Sequence, residues 1–371
     1  MTREKAATRP VIEIGPLPPP YGGVAVHLRR LSSLLAERGE RVVVFCQEGG
    51  DTIPGVEVVG LETFSWRDWL RAGALRLMPR VVHCHEGLEW SPALLVAALR
   101  GARVVVTVHS ERTMDGIATI PWYYRIASRL LLSSSKVRWI AVSAHIAEGL
   151  AQRGARAGNV RVSPAYLPLV AAGIGSSSLP ADLDAFASAH HPLLTIYGWR
   201  ADLTAQGADS YGFDLAIEAA ARLRATWPEC GLIVLVPSGE PSERVAAMRR
   251  EIEGRDMADS VCVWAGPLPD PTPLWLATDV YLRPSRTDGD AISVREVLAL
   301  GGTVVASDCA ERPSGVRTFA SGDPEALRDA VVEAMSAQAG TAAPDPDAGD
   351  ALRAVAEAYG LPTGSLGGGP T

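Results

Sequence analysis

Arg283-Pro-Ser-Arg-Thr-Asp-Gly-Asp-Ala-Ile-Ser-Val-Arg-Glu-Val-Leu-Ala-Leu-Gly-Gly-Thr-Val-Val-Ala-Ser-Asp-Cys-Ala-Glu-Arg312 is the stretch on which the reading of this 371-residue chain turns. It follows the apolar run Asp279-Val-Tyr-Leu, so the order is strand end, glycine loop, then a helix opening near Ser293. The first turn of a helix leaves backbone N–H groups without intrahelical partners and carries the positive end of the helix dipole. A phosphate ester can sit there without a dedicated lysine. Asp288 and Glu296 flank the turn, and carboxylates accept hydrogen bonds from sugar and ribose hydroxyls. A nucleotide-sugar site needs both kinds of group.

Outward from this loop, strand and helix signals alternate from end to end, which predicts parallel sheets covered by helices. In the first half, strands are expected at Val11–Gly15, Arg41–Cys46, Arg80–His85, Arg103–His109, Trp139–Ser143 and Asn159–Ser163. Val24, His27, Leu28, Leu31, Leu34 and Leu35 recur at helical spacing, closed by Gly39. A second series runs from the strand Leu193–Tyr197 through strands Leu232–Val236, Val261–Trp264, Val280–Arg283 and Thr303–Ser307. Its helices are expected at Phe213–Thr226, Glu243–Glu253, Ser293–Leu300 and Asp323–Met335. The fold class is therefore α/β, with one Rossmann-like domain over 1–170 and a second over 192–338. Small and polar residues at 171–191 read as a linker, with Gly173-Ile-Gly-Ser-Ser-Ser its loosest part. Residues 339–371 read as a largely flexible tail, with a possible helix at 350–359.

Bulk properties narrow the function classes. The composition, 47% hydrophobic and 21% charged, is that of a soluble globular protein. A net charge of −7 argues against a general nucleic-acid binder, whose affinity comes from clustered Lys and Arg. No apolar run is long enough to span a bilayer and Met-Thr-Arg-Glu-Lys opens no signal peptide, so a cytoplasmic protein is expected. The five cysteines are scattered and form no Cys-x-x-Cys pair, so buried reduced thiols are expected. Phe64–Met78 mixes aromatics with Arg67, Arg71 and Arg76; it reads as a surface helix packed on the sheet, with peripheral contact to an anionic membrane as the other reading.

With Asp288 eight residues before Glu296 and Gly301-Gly-Thr-Val-Val-Ala-Ser307 behind them, the segment resembles the retaining glycosyltransferases of family four. The variant Asp-Gly-Asp-x-x-Ser-x-Arg-Glu, with the later Glu311-Arg-Pro313, looks like one bacterial and archaeal branch of that family. The resemblance, weaker outside this segment, extends from Val11 to about Met335. It implies two domains facing across a cleft (the GT-B architecture), with the acceptor held by the first and a nucleotide-sugar by the second. By the family pattern Glu296 holds the ribose, Asp288 the hydroxyls of the donor sugar, and Gly289, Asp290, Ala291, Ile292 and Ser293 complete the donor loop. Arg200, in Tyr197-Gly-Trp-Arg200, matches the basic residue that holds the donor phosphates. The family's second basic residue is missing, and Tyr211 occupies its place.

Gly22 and Gly23, after Tyr21, match a glycine pair near the diphosphate and acceptor, and His109 matches a strand-end histidine that touches the sugar or acceptor. Tyr21, His85 and Glu86 are candidates for the acceptor cleft. The catalytic candidates are thus Arg200, His109 and Asp288. Each has a plainer reading beside it. Ser293-Val-Arg-Glu296 is also a capping box, Tyr21-Gly-Gly23 also a turn, and His109 also a hydrogen-bonded strand end. Asp288-Gly-Asp290 imitates a metal-binding Asp-x-Asp but precedes a helix rather than closing a central strand, so no required metal or cofactor is expected. His83 and His85 share a strand face without a third ligand nearby in sequence, so no zinc site is read there.

The expected activity is sugar transfer from a nucleotide-sugar to a small-molecule, glycan or lipid-linked acceptor. An epimerase of the same fold and a non-catalytic sugar-nucleotide binder are the alternatives. A nicotinamide oxidoreductase is disfavoured because no Gly-x-Gly-x-x-Gly follows the first strand.

Overall fold

The computed structural model describes residues 9–19, 22–85, 87–109, 121–167, 178–201, 203–204, 206–238, 242–288, 291–336 and 350–362. They divide into two compact units. Near-continuous runs of Val, Ile and Leu, such as Val42–Phe45 and Leu232–Val236, are buried on both faces, the pattern of parallel strands covered by helices.

In the first unit the strands are β1 (Val11–Ile14), β2 (Val42–Gln47), β3 (Val56–Leu61), β4 (Val81–Cys84), β5 (Arg103–Val108), β6 (Val137–Ala141) and β7 (Val160–Val162). They form a parallel sheet in the order β3-β2-β1-β4-β5-β6-β7. The chain moves outward from β1 to β3 and then resumes on the other side at β4. That reversal opens a crevice beyond the carboxyl ends of β1 and β4, the usual ligand position in such sheets. The second unit repeats the plan with β8 (Leu193–Tyr197), β9 (Gly231–Val236), β10 (Val261–Ala265), β11 (Val280–Arg283), β12 (Thr303–Ser307) and β13 (Arg317–Phe319). Its parallel order is β10-β9-β8-β11-β12-β13, so the reversal falls between β8 and β11.

The second sheet is packed on both faces. Helices Phe213–Leu223, Glu243–Gly254 and Pro324–Ser336 cover one side. Helices Ala181–Ala189, Thr272–Ala277 and Ile292–Ala299 cover the other. This corrects the linker expected at 171–191. Leu183 and Ala187 on the helix Ala181–Ala189 are buried in the same core as Trp275 and Val294, so that helix belongs to the second unit. Residues 171–177, which include most of the Gly/Ser-rich part, lie outside the described residues.

The tail is corrected as well. The helix Asp350–Tyr359 places Ala351, Leu352, Val355, Ala356 and Tyr359 in the same core as Val11, Leu28, Val42 and Ile140. The chain thus returns to complete the first domain. Two strands escaped the sequence reading, β3 with its exposed Gly60 and the three-residue β13. Phe64–Met78 is not one amphipathic helix. It holds a short helix at Trp66–Arg71, a left-handed Gly73 and a 3-10 turn at Ala74–Leu77, with Trp69 buried against Phe45. No helix among the described residues is long and apolar enough to cross a membrane.

All five cysteines are free; Cys46, Cys84 and Cys230 are buried as expected, whereas Cys262 and Cys309 are partly exposed. Burial pushes the Cys46 and Cys262 thiols up and that of Cys230 to about 12, so these sulfurs are protonated and poorly nucleophilic at neutral pH.

Candidate functional site

In the second domain Arg200 follows β8, and Asp288, Ser293 and Glu296 follow β11, the two strands between which the order reverses. Arg283 ends β11 and donates two hydrogen bonds to Asp288, Nε to Oδ2 at 2.9 Å and Nη2 to Oδ1 at 2.8 Å. Arg312 donates to Oδ2 of the same carboxylate at 2.8 Å and to the Ser307 carbonyl at 2.9 Å. The three side chains are only 8%, 6% and 4% exposed for Arg283, Asp288 and Arg312. Burial alone pushes the Asp288 carboxyl up, but Arg283 and then Arg312 outweigh it and hold it below its usual range. Two guanidiniums around one carboxylate leave one net positive charge in this group.

Tyr211 lies beneath the Arg283 guanidinium, 5.0 Å from carbon to ring centroid. The ring supports a neighbouring cation rather than supplying one. Its setting is rigid. Gly212 has φ +76°, and a Cβ there would fall 2.1 Å from the Pro284 carbonyl oxygen. A Cβ on Gly198 would meet Phe213 at 2.5 Å and Tyr211 at 2.7 Å. Asp209 accepts from the Tyr211 and Gly212 amides at 2.9 Å each, and Arg286 clamps Asp214 with two bonds of 2.8 Å. The glycines in these motifs therefore serve close packing.

The helix Ile292–Ala299 starts after Ala291, which offers no side-chain cap. The capping-box reading fails: Ser293 Oγ accepts from the Tyr281 hydroxyl at 2.7 Å, and Glu296 accepts from Trp275 Nε1 at 3.0 Å. Glu296 is 4% exposed, so its carboxylate is held by Trp275 inside the domain. Arg200 is exposed three residues beyond the end of β8. Gly289 and Asp290 lie outside the described residues.

Gly23 opens the helix Gly23–Glu37 of the first domain, and Gly22 precedes it. The φ of Gly22 is not left-handed, so no turn demands glycine there. Tyr21 and Glu86 lie outside the described residues.

His85 and His109, at the ends of β4 and β5, are joined by His27 from the first helix, Glu13 from β1 and His83 from β4. Glu13, fully buried, accepts from His85 Nε2 at 2.8 Å and from the Tyr359 hydroxyl. Burial raises the Glu13 carboxyl, but His83 and His85 bring it down to about 2. His83 has both ring nitrogens occupied, with Tyr359 at 2.8 Å and Thr107 at 2.7 Å. His27 Nδ1 donates to the Ala165 carbonyl at 2.5 Å. Burial, followed by His85, lowers the His27 imidazole to about 3. Burial, followed by His83, lowers that of His85 to about 4. His109 is also held well below its ordinary value, first by burial and then by His27. The rings of His27, His85 and His109 are thereby favoured in their neutral form.

Sequence reading named His85 and His109 separately and read His27 only as part of a helical stripe. The missed signal was a histidine in an otherwise aliphatic stripe. In the second domain it missed Arg283 and Arg312 as charge carriers, though both stand in the quoted motif, and Trp275 as the partner of Glu296.

Known proteins share this plan. A glycosyl transferase 4-like domain model matches residues 22–165, and a glycosyl transferases group 1 model matches residues 170–337. No curated protein sequence matches the chain. Among solved structures, a sucrose-phosphate synthase from Thermosynechococcus elongatus superposes with a TM-score of 0.66 at 17% identity, over 96% of this chain and 98% of that one. Anabaena HepE in complex with UDP and glucose gives 0.67 at 16% identity, over 97% of each chain. WaaG, a glycosyltransferase involved in lipopolysaccharide biosynthesis, gives 0.64 at 16%, over 97% of this chain and 100% of that one. With the two domain models in series and a parallel-sheet domain under each, the chain belongs to the glycosyltransferases of the GT-B fold.

Proposed function

We propose that the chain moves a sugar from a nucleotide-sugar donor to an acceptor nucleophile with retention of anomeric configuration, the second domain binding the donor and the first the acceptor. One observation carries this reading: Asp288, in the loop between β11 and the helix Ile292–Ala299, is held by Arg283 at the end of β11 and by Arg312 beyond β12, a net positive group ahead of a helix whose N-cap residue Ala291 offers no side-chain cap. A buried cationic group and open helix N–H groups suit a diphosphate. HepE, a structural relative, was crystallised with UDP and glucose, which supports a nucleoside diphosphate sugar as the donor class.

In the proposed reaction the bond from the anomeric carbon to the diphosphate oxygen breaks, and its electron pair leaves with the diphosphate. Arg200 and the first turn of Ile292–Ala299 meet that charge as it develops. The acceptor oxygen bonds to the same face of the sugar, and its proton passes to the departing phosphate oxygen. No protein nucleophile is assigned. Glu296, held by Trp275, accepts from the ribose hydroxyls. Asp288 acts on the donor through its two arginines, and His109 faces the acceptor.

Two variants test the division of labour. Arg200→Ala removes a group that gains strength only as the leaving group charges, so kcat is expected to fall roughly a hundredfold. Glu296→Gln keeps an acceptor for Trp275 but weakens the ribose contact, so donor KM rises while the melting temperature moves little. Steady-state kinetics with a panel of nucleotide-sugars decides. An unchanged kcat in Arg200→Ala removes Arg200 from the reaction, and a shift in melting alone in Glu296→Gln leaves Glu296 a packing residue.

The donor loop also predicts independence from Mg²⁺. Both Asp288 oxygens already accept from arginine, so Asp288 is a poor partner for Asp290 in chelating a metal. Transfer is expected to be flat in a titration with Mg²⁺ or Mn²⁺, and a rise from zero with either ion contradicts the assignment.

A further inference from the structure

We propose that His27, His85 and His109 form a binding site for a divalent transition metal of the zinc class, with Glu13 and the Ala165 carbonyl as the outer groups that orient two of the rings. One ring nitrogen from each histidine lies within 4.8 Å of the others. The ring centroids are 5.2, 5.3 and 5.6 Å apart, so the three imidazoles surround a common point.

The hydrogen bonds fix which nitrogens carry lone pairs. A carbonyl only accepts, so His27 Nδ1 carries the proton that bonds Ala165 and Nε2 is the lone-pair nitrogen. Glu13 accepts from the Tyr359 hydroxyl through Oε1 and from His85 Nε2 through Oε2, so His85 Nδ1 is the lone-pair nitrogen. A metal-bound histidine characteristically has its other nitrogen donating to a carboxylate or a carbonyl. Both arrangements are present here before any metal enters.

His27 Nε2 is the decisive atom. The residue is 3% exposed, and this nitrogen has no hydrogen-bond partner among the described residues. A buried polar atom without a partner is rare in a native fold and calls for an explanation, of which an absent ion is one. His85 Nδ1 and His109 Nε2 are 3.3 Å apart. Ligand nitrogens at the zinc–imidazole bond length of about 2.0–2.1 Å, placed tetrahedrally, are separated by about 3.3 Å. That pair already has the spacing of one edge of the ligand tetrahedron. The third nitrogen needs an approach of no more than about 1.5 Å to complete the face.

Three neutral imidazoles with one open position suit Zn²⁺, Co²⁺ or Ni²⁺ and not Mg²⁺, which takes oxygen ligands. The second candidate group, Glu13 with His83 and His85, does not compete, because both nitrogens of His83 and the proton-bearing nitrogen of His85 are committed to other bonds. The site lies at the β1/β4 reversal, and His109 is the least buried of the three residues.

The test is metal titration of the untagged full chain after stripping with a chelator. Co²⁺ is expected to saturate at one ion per chain and to give visible absorption bands of tetrahedral intensity, which Zn²⁺ displaces. Zn²⁺ should also raise the melting temperature of the first domain. Glu13→Gln is expected to weaken Co²⁺ binding roughly tenfold to a hundredfold by disturbing the orientation of His85. His27→Gln and His109→Gln should abolish the bands, whereas the exposed His145→Gln should leave them unchanged. Because His109 is only partly buried, its variant separates loss of a ligand from loss of packing, with circular dichroism as the check. No saturable binding by the native chain, or binding indifferent to both His27→Gln and His109→Gln, overturns the proposal and leaves His85 and His109 joined by an ordinary N–H···N bond.

Discussion

A chain cut after Ser336 is expected to lose the fold of its first domain while the second keeps its own. The helix Asp350–Tyr359 supplies Leu352, Val355 and Tyr359 to the first core, all 7% exposed or less. Burying side chains of this size contributes about 1.5–3 kcal/mol each, so the three together contribute roughly 5 kcal/mol or more. That is comparable to the whole stability of an ordinary domain, about 5–15 kcal/mol. The cut also removes the Tyr359 hydroxyl from buried Glu13, leaving the carboxylate one donor short. Hydrogen exchange resolved by segment is the measurement. Amides of β1 and β4 should lose protection and those of β8 and β11 should keep it. Undiminished protection in β1 would mean that the terminal helix rests on a domain already complete.

This terminal helix also shows where sequence reading stops. Its existence at 350–359 was legible from apolar spacing, because Ala351, Leu352, Val355, Ala356 and Tyr359 fall on one helical face. Its place was not. The Gly, Ala, Pro and Asp residues before it look like a tail, and a single sequence does not say which of two cores a returning helix will cover. The linker failed for a related reason. Pro180 and the alanines around Leu183 look unstructured, yet two apolar residues on one face are enough to seat a short helix on an existing sheet. The buried parallel strands were the most legible elements, since runs such as Val304 to Ala306, or Leu232 to Val236, have few other destinations.

The chemistry of the second domain was legible by motif but not by partner. Arg200, Asp288 and Glu296 stand out by spacing, whereas the engagement of Asp288 by Arg312, 24 residues on, depends on β12 bringing its following loop back beside β11. Tyr211 is the clearest case. Read along the chain it is a missing cation; in the fold it is the ring under Arg283. The histidines of the first domain were obscured in the same way, because His27, His85 and His109 come from three elements that only the order β1-β4-β5 makes neighbours.

Asp288→Ala is expected to destabilise the second domain by about 3–5 kcal/mol, the usual result of removing one partner from a buried ion pair. The carboxylate is the only acidic group bonded to Arg283 and Arg312 among the described hydrogen bonds, and all three side chains are under one-tenth exposed. Without it, Arg283 keeps the Tyr197 carbonyl at 2.9 Å and the Tyr211 ring, and Arg312 keeps the Ser307 carbonyl. Those neutral partners satisfy N–H groups but cancel no charge, so two buried cations are left facing each other. Urea unfolding followed by tryptophan fluorescence, with Trp275 inside this domain, reads the loss. The double variant Arg283→Met/Asp288→Leu removes one charge of each sign and should recover part of the stability, since apolar replacements of a buried pair are often near neutral. It should not recover donor binding, because the positive group that meets the diphosphate has lost its geometry. If Asp288→Ala instead unfolds at the native urea concentration and only raises donor KM, the carboxylate contacts the donor sugar directly and the arginines do not depend on it.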